Sequence, residues 1–176
     1  MIQNTNLRLK NKIAIVVGGG QRIGETIGNG RAVSITYAKQ GAKVVVVDNN
    51  LDAAQETVHK IKENGGIGFA YQADVVVETE IAALINYVRL NFGQIDILHN
   101  NVGISIAGGD AEVTEIKSHN FDQIIALNLK SMIFACKYVL PIMREQKFGN
   151  IINISSTAVH EDYPWVSYKV SKAGVN

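Results

Sequence analysis

The 176-residue sequence contains a single cysteine. It has no long apolar run near its start and no block of like charge. A lone cysteine excludes an internal disulfide, and the place of Cys136 in an apolar-periodic stretch predicts a small buried side chain. Residues 1–12 are polar and basic and resemble neither a signal peptide nor a membrane span. We therefore expect a cytoplasmic protein with no membrane partner.

The charge balance also argues against a nucleic-acid partner. Seventeen Lys and Arg residues against sixteen Asp and Glu residues leave a formal net charge of +1, too little to follow a phosphate backbone. A hydrophobic content of 47% with 19% charged residues is that of a globular protein. For this length we expect one domain, spanning residues 1–176.

Short apolar runs alternate with stretches of helical periodicity along the chain. The first run, Ile13–Val17, is rich in β-branched residues, as in a strand buried on both faces. Later strands are predicted at Lys43–Val47, Ile67–Ala73, Ile95–His99 and Asn150–Ile154. Helices are predicted from Arg31, at Leu51–Asn64, Glu78–Phe92 and, with an interruption, Ser118–Gln146, and from near Trp165. This alternation predicts an α/β fold, a doubly wound parallel sheet of Rossmann type, with ligands at the carboxyl ends of the strands.

A glycine-dense loop, which runs from Gly18 to Gly30, follows the first strand and leads into a helix. Backbone N–H groups and the helix dipole at such a place favour a pyrophosphate. Asp48 ends the second strand eighteen residues after Gly30, where a carboxylate can accept hydrogen bonds from ribose hydroxyls and repels a 2′-phosphate. The pattern predicts a dinucleotide site that prefers NAD to NADP.

Two further motifs follow in the second half of the chain. Asn100-Asn101-Val102-Gly103 comes directly after the fourth strand. Tyr168 and Lys172 are four residues apart and so share one face of a helix. A phenol has an ordinary pKa of about 10 and acts as a base near neutrality only if a cation stabilises the phenolate. Tyr168 and Lys172 are therefore candidates for that base and its cation.

In this order, the motifs resemble those of the short-chain dehydrogenase/reductase family, which carries Thr-Gly-x-x-x-Gly-x-Gly, Asn-Asn-Ala-Gly and Tyr-x-x-x-Lys. The resemblance covers the chain from Leu7 to Asn176. It implies an NAD-dependent oxidoreductase that acts on a small-molecule alcohol or ketone and forms a homo-oligomer, a dimer or tetramer. The family's domain usually runs to roughly 250 residues. We therefore expect these residues to be a fragment that lacks the family's C-terminal strands.

The resemblance also implies roles for single residues. Tyr168 would take the alcohol proton, Ser156 would hydrogen-bond the reacting oxygen and Lys172 would stabilise the phenolate. Asn128 matches the asparagine that kinks a helix and passes protons through water to the lysine. The implied cofactor-binding residues are Gly18, Gly28, Asn29, Gly30, Asp48, Asp74, Val75, Asn101, Val102 and Gly103, together with Tyr168 and Lys172.

Two alignments of the glycine loop compete. Gly18 to Gly24 fits the family motif by local spelling, with Val17 in place of threonine and Arg22 in place of the middle glycine. Gly28-Asn29-Gly30 fits by helix register, since Gly30 stands eleven residues before Gly41. We favour the second alignment, which makes the loop six residues longer than the common form.

Three other points stay open. Ser155 has the commoner family spacing to Tyr168, whereas Ser156 matches when the motif is anchored on the preceding strand; we favour Ser156. His160-Glu161-Asp162 in the following loop is typical of a solvated segment, and no metal site is expected. The alternative function is a non-catalytic NAD-binding module, against which the complete Ser, Tyr and Lys set argues.

Overall fold

The structure is a computed structural model that describes residues 7–21, 24 and 26–176. Its strands are β1 (Ile13–Val17), β2 (Lys43–Asp48), β3 (Ile67–Gln72), β4 (Ile97–Asn100) and β5 (Asn150–Asn153). Its helices are α1 (Asn29–Lys39), α2 (Leu51–Glu63), α3 (Glu78–Phe92), α4 (Ser118–Ile125), α5 (Ser131–Gln146) and α6 (Val166–Ala173).

The strands form one parallel sheet in the order β3-β2-β1-β4-β5. The chain moves outward from β1 to β3, then crosses back to place β4 on the other side of β1. The strand order therefore reverses between β1 and β4, where Val17 pairs with Asn100 on one side and with Val47 on the other. Ligands of doubly wound sheets bind beside such a reversal. The predicted fold class is confirmed.

Each face of the sheet carries its own apolar core, because successive side chains of a strand point to opposite faces. Ile13, Ile15 and Val17 pack with residues of α3 and α5 on one face. Ala14 and Val16 pack with residues of α1 and α2 on the other. Every β1 side chain is at most 5% exposed, and burying a side chain of this size contributes about 2 kcal/mol. Burial on both faces explains why the strand is apolar without alternation.

The predicted interruption of the long helix lies at Ala126–Lys130, a π-helical turn between α4 and α5. The continuous helical stretch Ser118–Gln146 has 29 residues and contains an 18-residue segment with a mean hydropathy of 1.4, enough to cross a membrane by length and composition alone. Its residues Ala135, Val139 and Ile142, however, belong to the core on the sheet. Core helices of globular proteins meet the same criterion, and this packing favours that interpretation.

The bounds of some strands and the burial of one side chain differ from the sequence expectations. β4 starts at Ile97 rather than Ile95 and ends at Asn100 rather than His99, and β3 and β5 each end one residue earlier than predicted. Cys136 on α5 is only half-buried, so the expectation of a small buried side chain is met only in part. Burial still raises the pKa of its thiol.

His99 of β4 is buried on the face covered by α1. Its ring meets Tyr37 edge-on with 5.9 Å between centroids, and its Nδ1 lies 3.2 Å from the Tyr37 hydroxyl. Its Nε2 has no hydrogen-bond partner among residues 7–21, 24 and 26–176. Burial lowers the pKa of His99 below its ordinary value, so the folded protein favours the neutral ring.

This buried histidine makes stability depend on pH. The unfolded chain binds a proton below about pH 6.5 that the folded protein does not, so the free energy of unfolding should fall as pH decreases from there. One such group gives a slope of at most about 1.4 kcal/mol per pH unit. In urea titrations His99→Gln should reduce this slope. His59→Gln, on the exposed face of α2 with its side chain 72% exposed, should retain it; equal slopes in wild type and His99→Gln would contradict the assignment.

Candidate active site

A groove of about 660 Å³ runs along the carboxyl ends of the first four strands. Its walls come from the loops that follow β1, β2, β3 and β4. Ten predicted cofactor residues line it: Gly18, Gly28, Asn29, Gly30, Asp48, Asp74, Val75, Asn101, Val102 and Gly103. The other two, Tyr168 and Lys172, lie on α6, and the Lys172 amine lies near Gly103 at the end of the groove.

The glycine loop brings backbone into close contact at the start of α1. Gly28 is the N-cap of this helix, and a Cβ at Gly30 would overlap the carbonyl oxygen of Gly18. A Cβ at Gly20 would lie 2.6 Å from the Asp48 carboxylate. Only glycine allows such approaches. This geometry supports the alignment by helix register; Arg22 and Ile23, which the competing alignment uses, lie outside the described residues.

Gln21 closes this loop, which the sequence analysis did not anticipate. Its side chain accepts a hydrogen bond from the Gly28 N–H at 2.9 Å and donates one to the Thr26 carbonyl at 3.0 Å. The first hydrogen bond within α1 runs from the Ala32 N–H to the Gly28 carbonyl. Among residues 7–21, 24 and 26–176, the N–H groups of Asn29, Gly30 and Arg31 have no hydrogen-bond partner, so they remain for an anion.

Asp48 is held at the end of β2 by backbone donors. The Gly20 N–H donates to its Oδ2 and the Asn50 N–H donates to its Oδ1, each at 3.1 Å. These bonds fix the carboxylate at the wall of the groove with lone pairs left for a ligand's hydroxyls.

Arg31 lies outside the groove wall. Its guanidinium donates to both carboxylate oxygens of Glu56, at 3.1 and 2.7 Å, and its Nε donates to Thr57 at 3.0 Å. Arg31 is 4% exposed, and its guanidinium lowers the pKa of Glu56. The Thr57 hydroxyl lies 3.0 Å from the Gly19 carbonyl, so this cluster joins α1, α2 and the glycine loop.

The third wall follows β3, where Asp74 and Val75 lie at the rim of the groove. The Asp74 N–H donates to Glu80 at 2.7 Å, and the Asp74 carboxylate accepts from the Val76 N–H at 3.1 Å. Val75 is buried, and the Asp74 carboxylate forms its hydrogen bond within its own loop.

The segment after β4 connects the groove to the sheet and to α6. Asn100 donates to the Asn153 side chain at 2.8 Å, and Asn101 donates to the Gly18 carbonyl at 3.3 Å. A Cβ at Gly103 would lie 3.2 Å from the Lys172 amine. The asparagines therefore have a structural part, and Gly103 leaves room for the lysine.

Lys172 is the most deeply buried cation of the candidate site. It is 2% exposed, and its amine donates to the Ile154 carbonyl at 2.8 Å. Burial lowers its pKa from 10.5 to about 8. The amine lies 5.8 Å from the centroid of the Tyr168 ring. A buried amine with so large a shift is typical of functional sites.

Asn128 lies in the π-helical turn and is fully buried. Its side chain donates to the Ile104 carbonyl and to Ser171, at 2.9 and 3.0 Å, and accepts from the Ile104 N–H at 2.8 Å. Asn128 thus links the loop after β4 to α6. The π-helical turn directs this side chain inward, as π-bulges often do at functional sites.

The two candidate serines differ in what their hydroxyls do. Ser155 donates its proton to the Lys172 carbonyl at 3.0 Å. Ser156 accepts from the Ala158 N–H at 3.2 Å, and its own proton stays available to donate to a substrate oxygen. The hydrogen bonding favours Ser156.

Asp110 is a site residue that the sequence analysis missed. Its carboxylate accepts hydrogen bonds from the Ser167 and Tyr168 N–H groups at 3.0 and 2.8 Å. Asp110 lies in the loop before α4, far from α6 along the chain, so no local pattern marks it. His160, Glu161 and Asp162, where no metal site is expected, join no group of three or more potential metal ligands in the described part of the chain.

Comparison with known proteins gives the family. The model of the short chain dehydrogenase family matches residues 12–176. The chain belongs to the short-chain dehydrogenase family.

Two relatives from this family are 36% identical to the chain. The uncharacterized oxidoreductase YxbG of Bacillus subtilis (strain 168) aligns over 96% of this chain and 59% of its own length. The 7alpha-hydroxysteroid dehydrogenase of Escherichia coli (strain K12) aligns over 100% of this chain and 66% of its own. The chain therefore spans less than two thirds of the length of these relatives.

Solved structures of short-chain dehydrogenases have the same fold. A 7 alpha-hydroxysteroid dehydrogenase in complex with NADH and 7-oxo glycochenodeoxycholic acid matches with a TM-score of 0.86 and 35% identity, over 99% of this chain and 65% of that one. A metagenomic short-chain oxidoreductase in complex with NADP matches with a TM-score of 0.86 and 27% identity, over 96% of this chain and 73% of that one.

The buried amine of this dehydrogenase-family chain should lower its stability. A pKa of about 8 in place of 10.5 corresponds to a penalty of about 3 kcal/mol for burying the charged amine. Replacing Lys172 by methionine removes this penalty but also removes the hydrogen bond to the Ile154 carbonyl, which cancels about 1 kcal/mol of the gain. Lys172→Met should therefore raise the free energy of unfolding by about 2 kcal/mol near pH 7.

The gain should shrink as pH rises from about 8 toward 10.5, because the wild-type amine is then neutral when folded and loses its penalty. Urea titrations at several pH values measure this. Lys169→Met, on the same helix with its amine on an exposed carbonyl, is the control. A pH-independent difference between Lys172→Met and wild type would argue against a buried ammonium.

Proposed function

We propose that the chain carries the cofactor-binding and catalytic residues of an oxidoreductase that transfers a hydride between NAD(H) and the carbinol or carbonyl carbon of an alcohol or ketone. The observation that carries the proposal is the position of Lys172, a buried amine beside Tyr168 and Gly103 at the end of a dinucleotide-sized groove. Membership of the short-chain dehydrogenase family supports it.

The groove fits a dinucleotide. The contact between Gly30 and Gly18 leaves no room for side chains where a pyrophosphate would approach the start of α1. Asp48 would bind the adenosine ribose, Asp74 and Val75 would flank the adenine, and Asn101 to Gly103 would line the nicotinamide end, with Tyr168 and Lys172 holding its ribose. When bound, NAD+ would supply a hydride acceptor, and NADH a donor.

In this proposal Tyr168 removes the hydroxyl proton of an alcohol, or returns it to a ketone. Lys172 stabilises the phenolate through its positive charge. Ser156 donates a hydrogen bond to the reacting oxygen and stabilises the charge that develops there. Asn128, joined to the loop after β4 and to Ser171, keeps this region of α6 in place and would support proton passage to the lysine.

The expected partner is a small-molecule alcohol or ketone. A cytoplasmic location, a homodimer or homotetramer, and the absence of a metal, a nucleic-acid partner and a membrane partner remain predictions. Relatives that act on steroid alcohols make secondary alcohols a sensible first panel of substrates.

We expect NAD to be preferred over NADP. A 2′-phosphate beside the Asp48 carboxylate is disfavoured by about 1 to 3 kcal/mol, and Arg31 is engaged by Glu56. Fluorescence titration of the full-length protein should give NADH a dissociation constant at least about fivefold below that of NADPH. Asp48→Ser should reduce the difference between the two dissociation constants, whereas the control Asp52→Asn, on α2, should leave it unchanged. Equal affinities in the wild type would show that the groove has been misinterpreted.

Tyr168→Phe in the full-length protein should abolish turnover of alcohols with NAD+ while changing NADH affinity no more than about threefold. The phenol acts on the proton and contributes little to cofactor binding. Tyr138→Phe, whose hydroxyl donates to Glu78 at a distance from the groove, is the control and should keep full activity. Turnover by Tyr168→Phe above about a tenth of wild type would remove Tyr168 from the mechanism, and NADH binding without turnover in the wild type would favour a non-catalytic module.

A further inference from the structure

The first turn of α6 is capped by a distant loop rather than by its own residues. Trp165, at the N-cap position, makes no side-chain capping bond. Instead the Val166 N–H donates to the Ala111 carbonyl at 3.1 Å. The Ser167 and Tyr168 N–H groups donate to the two carboxylate oxygens of Asp110. Two consecutive residues of the loop before α4 thus accept the first three N–H groups of the helix.

The Asp110 carboxylate is buried, and within the described residues its hydrogen-bond donors are all neutral. It is 7% exposed, and within residues 7–21, 24 and 26–176 it forms no ion pair with a lysine or arginine. Its Oδ1 also accepts from the Ala111 N–H at 3.1 Å, and its Oδ2 from the Ser105 hydroxyl at 3.3 Å. The positive end of the α6 dipole is the charge that compensates it. The start of α6 therefore stabilises the buried charge of Asp110, and Asp110 in turn caps the first turn of α6.

A second route leads from Asp110 to the Tyr168 ring. The Ser105 hydroxyl lies 3.1 Å from the hydroxyl of Tyr163. The Tyr163 ring lies against that of Tyr168, with 5.6 Å between centroids. Asp110 is thus linked to the backbone of Tyr168 directly and to its ring through Ser105 and Tyr163.

We propose that Asp110 is a positioning residue that holds Tyr168 in its catalytic place by capping α6. The catalytic part of this inference rests on the proposed function; the capping part does not. Reacting groups must be held to within a fraction of an ångström, and a displacement of about 1 Å can reduce turnover about a hundredfold. Because Tyr168 lies in the first turn of α6, fraying of that turn moves the phenol before it disturbs Lys172, one turn further along.

Asp110→Asn and Asp110→Ala in the full-length protein test the proposal. The asparagine turns an amide N–H₂ toward one backbone N–H, and the alanine removes both acceptors. Hydrogen exchange in the cofactor-free protein should speed up at the Ser167 or Tyr168 amide by at least about tenfold, while exchange in α2 stays as in wild type. In the same variants kcat should fall at least about tenfold, with NADH affinity within about threefold of wild type.

Two further variants separate a positioning role from a general loss of structure. Asp122→Asn removes an exposed acid from α4 and should keep wild-type exchange and kcat. Ser105→Ala removes one bond to Asp110 but leaves both bonds to α6, so the Ser167 and Tyr168 amides should stay protected. If Asp110→Ala does not fold, Asp110→Asn alone tests whether Asp110 positions Tyr168.

Each result has a clear meaning. Unchanged exchange at Ser167 and Tyr168 in Asp110→Asn would overturn the proposal, as would faster exchange throughout α2 or a kcat equal to that of wild type. Faster exchange confined to α6 supports the capping even if the wild-type protein turns over no alcohol. In that case it is the proposed function that fails, and not the inference about Asp110.

Discussion

The candidate site depends on the segment that follows β4, because this loop contacts both the glycine loop and α6. It begins beside β1, where Asn101 hydrogen-bonds the Gly18 carbonyl of the glycine loop. It then passes Gly103, which lies against the Lys172 amine, and reaches Asp110, which caps α6. The reversal of strand order between β1 and β4 makes this possible, since it leaves the ends of these two strands adjacent. The groove and α6 are thereby built against one piece of backbone.

Three buried charges lie in this part of the molecule, and their surroundings distinguish their roles. Arg31 is paired with Glu56 on both carboxylate oxygens, as expected of a residue that fastens two helices. Asp110 is compensated by the end of a helix. Within the described residues, the amine of Lys172 has the Ile154 carbonyl as its single hydrogen-bond acceptor, and burial lowers its pKa despite that bond. An amine that folding leaves so poorly compensated is the one available to act on a neighbouring phenol or ligand.

Much of the fold could be predicted from sequence, because each strand of a doubly wound sheet is buried on both faces and is therefore an apolar run. The spacing of Tyr168 and Lys172 was equally readable, since a helix converts a separation of four into a shared face. The boundaries of β4 and the exposure of Cys136 were not, because strand ends and half-buried positions depend on what packs against them. Gln21 was missed since nothing in the loop's composition shows which side chain folds back on it.

The sequence by itself determined the class of the fold, the order of the motifs and the kinds of chemical groups present, because these depend on local periodicity and on spacing along one element. Only the tertiary structure shows that the hydroxyls of Ser155 and Ser156 differ in their hydrogen bonds, that Arg31 is engaged away from the groove and that Asp110 lies at the start of α6. Apart from the local bond between Ser156 and the Ala158 N–H, these are hydrogen bonds between residues at least 17 positions apart in sequence. Their partners are set by the crossing of the chain from β3 to β4 and by the packing of helices on the sheet, which no local pattern encodes.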